Sequence, residues 1–182
     1  MADDKDKIKS KLLNLPEADL KADSPSTALL GQYNLYVQGI DKISDRRQTA
    51  NSFFLSLNTG VCAVIGYLFS KDSAPELRSL YWILPLAGIL LSYFWYRLVM
   101  SYRQLNSGKF TILHMMEKYL PLAPYDAEWS ALGEGKVKNK YVPLTHIEVW
   151  IPRLFITMYV IMILIWTPLA EIVKYYSKMM QK

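Results

Sequence analysis

The sequence predicts an all-α membrane protein with three transmembrane helices. A cytoplasmic helical region is expected from a long N-terminal helix and from the connection between spans two and three. Three observations predict this. The apolar residues of the 182-residue chain gather in three blocks instead of spreading as they do in a soluble domain. Between the blocks, apolar residues recur at spacings of three and four, and no segment alternates as a strand does. Bases also collect on one set of flanks, as topology in a bilayer requires.

Residues 1–23 alternate short apolar groups with clustered Lys and Asp, and Pro16 interrupts helical continuity. This reads as a mobile or partner-dependent arm, with simple disorder as the alternative. The first 49 residues hold no apolar core or small-residue cleavage site, so a secretory signal is not expected. Ser24 and Pro25 suit a helix cap and first position, starting an amphipathic helix over 24–49. Its stripe is Leu29, Leu30, Tyr33, Tyr36, Val37, Ile40, Ile43 and Arg47. No proline occurs from Ser26 to Phe69, so one helix of more than 40 residues is expected to continue into the membrane.

Residues 50–100 read as a transmembrane hairpin. Ala50 to Phe69 is a run of 20 residues without a charge, long enough for a hydrocarbon core of about 30 Å. Ser79 to Tyr96 forms the second span, continuing to Met100. Residues 101–150 then supply a second cytoplasmic helix, Tyr102 to Tyr119, ended by Pro121, and a structured basic loop from Leu122 to Pro143. Residues 151–182 hold the third span, Leu154 to Ala170, and a basic tail.

Lys42, Arg46 and Arg47 precede the first span, and six bases face five acids between Tyr102 and Trp150. The positive-inside rule therefore places the N-terminus and the long connection in the cytoplasm and the Lys71–Arg78 hairpin outside. Three spans put the tail outside, against its Lys174, Lys178 and Lys182. An interfacial or re-entrant third block would reverse this, but Leu154 to Thr167 lacks the charged face such a helix keeps.

Within the first span, Ser52, Ser56, Thr59, Ala63 and Gly66 fall at steps of four and three and form a seam of small side chains. Asn51 and Asn58 lie on an adjacent stripe. Small residues allow close helix packing in lipid, and a buried amide needs a partner there. Two readings stand. The seam packs on other helices with the asparagines cross-linking them, or several copies turn Asn51, Ser52, Ser56, Asn58 and Thr59 toward an aqueous path. In the second reading Phe54, with Leu55 or Val61, supplies a gate, and the protein is a homo-oligomer such as a tetramer.

Cytoplasmic bases and aromatics form a candidate ligand surface: Lys42, Arg46, Arg47, Arg103, Lys109, Lys136, Lys138, Lys140, Tyr36 and Tyr102. Phosphate charge and base stacking are what single-stranded nucleic acid or a nucleotide would use there. The same residues also serve as topological signals or anionic-lipid contacts. His114 with Glu117, and His146 with Glu148, lack a recognised metal spacing, so no metal is expected. No phosphate loop, nucleophile elbow or carboxylate pair appears, and neither an enzyme nor a cofactor is expected.

The strings DKISDRRQTANSFFLSLNT (41–59), YRQLNSGKFTILHMMEKYLPLAPYDAEWSALGEGK (102–136) and YVPLTHIEVWIPRLF (141–155) carry a resemblance. They are similar to a RipR-like family of small bacterial integral membrane proteins, which resembles the membrane effectors of Hailong anti-phage systems. The resemblance implies a multi-pass protein of the bacterial inner membrane with a cytoplasmic N-terminus. It further implies a multimeric ion channel controlled by a short DNA oligomer that a partner nucleotidyltransferase makes. The rival expectation is a non-conducting anchor or scaffold that recruits a soluble partner through Leu29 to Ile43.

Overall fold

The structure, a computed structural model, describes residues 12–13, 27–70, 80–135, 141, 144–166 and 179. Its elements are α1 (Thr27–Ser70), α2 (Leu80–Glu117), α3 (Pro124–Ala131), a 3-10 turn (Gly133–Gly135) and α4 (Leu144–Trp166). No strand occurs among the described residues. Helices α1, α2 and α4 are each long and apolar enough to cross a membrane. The Ser24–Pro25 start, the Lys71–Arg78 hairpin, Lys136, Lys138 and Lys140, and the basic tail's lysines lie outside the described residues, as does the arm apart from Leu12 and Leu13.

Helix α1 is the expected single helix, 44 residues long and free of proline. Helix α2 departs from expectation. The second span and the following cytoplasmic helix are one 38-residue helix, because nothing between Gly88 and Gly108 breaks the backbone ladder. Its only proline, Pro85, sits near the start. Past Glu117 the chain turns tightly, with Tyr119 N donating to Met116 O at 3.0 Å and Leu120 N to Glu117 O at 3.1 Å, before Pro121. Helix α4 begins ten residues before Leu154, where the third span is expected to start, and runs through Pro152, which forgoes one ladder bond. Gly133, at φ 77°, supplies the left-handed residue just past α3.

The chain forms two compact units, each holding parts of α1 and α2. The first comprises residues 1–47 and 101–144. There the expected stripe of α1 is covered except at Leu30, which is exposed: Ile40 is buried, and Leu29, Tyr33, Tyr36, Val37, Ile43 and Arg47 are half-buried, with Leu113, Met116 and Tyr119 buried in the same unit. The second comprises residues 48–100 and 145–182. Its core is Trp95, Val99 and Val149, against which Phe54, Tyr96, Met100 and Phe155 pack.

Gly88 lies where α2 runs close against α4. A Cβ there would overlap the Tyr159 ring, and Tyr159 is fully buried. Gly88→Ala must displace a ring already fixed by hydrogen bonds, at a cost of about 1–3 kcal/mol. A lowered unfolding midpoint in detergent, larger than that of Gly60→Ala in open space, checks this.

Candidate channel wall and ligand surface

In the second unit, the polar residues of α1 divide into two sets. Asn51 lies between helices: its Nδ2 donates to Glu148 Oε1 at 3.1 Å and its Oδ1 accepts from Trp95 Nε1 at 2.8 Å. Asn58 is 0% exposed. Its Oδ1 accepts from Ser92 Oγ at 2.8 Å and from the Tyr159 hydroxyl at 3.2 Å, while Nδ2 donates to Phe54 O at 2.9 Å. Cys62 Sγ donates to that tyrosine oxygen at 3.4 Å. Each amide thus links α1 to α2 and α4, and a carboxamide in an apolar setting is stable because both its ends are bonded.

Ser52, Ser56, Thr59, Ala63 and Gly66 occupy a different face, and all are exposed. Ser56 Oγ donates to Ser52 O at 2.9 Å and Thr59 Oγ1 to Leu55 O at 2.8 Å. Bonding back one turn satisfies a hydroxyl donor while leaving its lone pairs outward. Of the gate candidates, Phe54 stacks on Trp95 at 6.1 Å and 9°, inside the chain's own core, and Leu55 is exposed. The asparagine pair is therefore placed as the cross-linking reading expects, whereas the small seam is left uncovered by the chain's own helices.

In the first unit, Lys109 Nζ lies 4.7 Å from the Tyr36 ring centroid and 3.4 Å from where a Cβ on Gly39 would stand. The missing side chain at Gly39 gives the ammonium room against α1. Burial raises the Tyr36 phenol above its ordinary pKa. Lys42, Arg46 and Arg103 are exposed, and Arg47 and Tyr102 are half-buried. Of the expected ligand surface, the structure brings Tyr36 and Lys109 into contact.

Sequence reasoning missed the hub of this unit, Glu117, which is 1% exposed. Its Oε1 accepts from Tyr33 OH at 3.1 Å and from Tyr125 N at 2.9 Å, and Oε2 accepts from Asp126 N at 2.9 Å. Those amides belong to the first turn of α3, where Ala123 offers no side-chain cap. Glu117 supplies the cap from another helix, its charge favourably placed at the helix's positive end. The signal in the sequence was Pro124 after an alanine, a helix start in need of an acceptor. His114 Nδ1 approaches Asp126 Oδ1 at 3.7 Å, and Phe110 makes edge contacts with His114 and Tyr125. Among the described residues no group of His, Cys, Asp and Glu is arranged to hold a metal ion.

Burial, reinforced by the bond to Glu117 and its negative charge, raises the Tyr33 pKa from 10.0 to about 12. The neutral phenol is favoured in the folded unit, so its stabilisation is complete below pH 10 and fades as pH rises to about 12. Hydrogen exchange across pH 9–12 should show this loss in the wild type and its absence in Tyr33→Phe.

No curated protein and no solved structure matches the chain significantly. The sequence pattern of the octameric membrane protein family (8xMP) matches residues 30–168, a stretch that includes α1 from its fourth residue and all of α2, α3 and α4. The chain therefore belongs to the octameric membrane protein family and is a multi-pass membrane protein.

Proposed function

We propose that the protein is a non-enzymatic, homo-oligomeric ion channel in which Ser52, Ser56 and Thr59 of α1 face a shared axis. One observation carries this reading: a seam of small, hydroxyl-bearing side chains lies exposed along a membrane-length helix whose asparagines are already bonded within the chain. The proposed assembly has eight copies, following the name of the family, in place of the four expected from the sequence. Asn51 and Asn58 are assigned to rigid support behind the wall, and the gate to exposed Leu55 instead of Phe54.

The finer reading follows the resemblance to RipR-like proteins and the Hailong membrane effector. The channel sits in a bacterial inner membrane with a cytoplasmic N-terminus and acts as an anti-phage effector. A short single-stranded DNA or nucleotide, made by a partner nucleotidyltransferase, controls it through Tyr36, Lys109 and the exposed bases Lys42, Arg46 and Arg103. Binding that rests on such bases weakens steeply with salt. Mass measurement in detergent should give eight times the 21.0 kDa chain, and liposomes should show ion flux that Ser56→Leu abolishes. A monomer without flux, with or without short DNA, would sink the channel.

A scaffold remains a second reading because Leu35 on α1 is 70% exposed and Leu30 42%. A soluble partner captured by the wild type and lost with Leu35→Lys, in a protein that carries no flux, would favour it.

A further inference from the structure

Arg153 is the last charge before the uncharged stretch of α4, Leu154 to Trp166. It is exposed, yet its position is defined. Its Nη2 donates to the Tyr96 hydroxyl at 3.4 Å, and its guanidinium lies 5.2 Å from the Tyr96 ring centroid and 5.6 Å from that of Trp150. Among the described residues no carboxylate pairs with it. The acid nearest in sequence on α4, Glu148, directs Oε1 at Asn51. Arg97, beside Tyr96 in sequence, is exposed too and is the one charge between Leu80 and Tyr102. Trp150, Leu154 and Ile161 are 66%, 68% and 50% exposed along α4.

We propose that Arg153, steadied by Tyr96 and Trp150 and assisted by Arg97, binds the phosphate of a phospholipid headgroup, with acyl chains along Leu154 and Ile161. A guanidinium presents paired donors that match two phosphate oxygens, and the flanking rings restrict its rotamers before binding. With Nη2 donating to Tyr96, the other N–H groups of the guanidinium can still donate to phosphate, since cation–π contact does not consume them. Tyr and Trp favour the headgroup level, and an arginine bordering an apolar run extends toward it. Two bases that no carboxylate among the described residues pairs fit an anionic lipid better than a second copy of this neutral stretch. The proposal rests on α4 crossing the membrane and not on the channel reading.

Native mass spectrometry of the full chain, delipidated in detergent and titrated with phosphatidylglycerol, tests it. Arg153→Gln should weaken retention of the lipid by about tenfold, Arg153→Lys by less, and Lys118→Gln not at all. Trp150→Leu keeps the charge and should weaken retention, which holds the test open if Arg153→Gln fails to fold. Equal retention in Arg153→Gln, or equal loss in Lys118→Gln, would overturn the site. Displacement of the lipid by millimolar inorganic phosphate would mark a free-anion site and overturn it as well. Protein found in the soluble fraction would instead overturn the membrane reading, whereas extracted protein with Arg153-independent lipid binding overturns this site alone.

Discussion

Trp95→Ala should destabilise the second unit by about 3–5 kcal/mol. The indole is 1% exposed, stacks on Phe54 at 6.1 Å and meets Phe155 at 6.2 Å. In lipid, transfer of apolar surface contributes little because acyl chains are as apolar as the core, so the loss is mainly of packing and of a filled volume. The substitution also deprives Asn51 Oδ1 of its indole donor, leaving a polar atom in an apolar setting. Trp95→Phe keeps most of the ring and removes the N–H, so its cost should be about 1 kcal/mol. Denaturant titration in detergent separates the two, and equal small effects would mean that this cluster does not hold the helices together.

Glu117→Ala should have the largest effect in the first unit, about 3 kcal/mol, because one change strands three donors. Tyr125 and Asp126 lose their amide partners at the start of α3, and the Tyr33 hydroxyl loses its acceptor. Hydrogen exchange at those two amides should rise sharply while exchange in the second unit stays unchanged. Glu117→Gln retains one carbonyl oxygen and should lose part of the protection. Unchanged exchange in Glu117→Ala would show that α3 is held by the Phe110 contact with Tyr125 instead.

Helix content and the length of α1 were legible because a proline-free run with a three-and-four stripe admits few alternatives. The joined α2 was harder to read. The change from apolar to charged composition after Met100 resembles an element boundary, yet hydrogen bonding in a helix is indifferent to the polarity of its side chains. The start of helix α4 ahead of the expected span was hidden for a related reason: Pro152 looks like a border, but a proline removes one donor and a neighbouring turn tolerates the loss. The stripes of Ser56 and Asn58 were separable by periodicity, whereas which of them the chain's own helices cover depended on Ser92, Trp95, Glu148 and Tyr159, which are far away in sequence. Glu117 was not legible as a cap because its three partners only meet once the chain folds.

In the proposed channel the Ser52–Ser56–Thr59 face borders water along a shared axis. The most direct test is charge-bearing thiol modification of Ser56→Cys in a Cys62→Ser background, followed as ion flux in liposomes. Serine at position 62 keeps a donor for Tyr159, so the helix contacts of α1 are retained. Modification at position 56 should block flux, while the same reagent on Leu57→Cys, an exposed position about 100° further round the helix, should leave it intact. Flux unaffected by modification at position 56, or blocked equally from position 57, would contradict the shared axis.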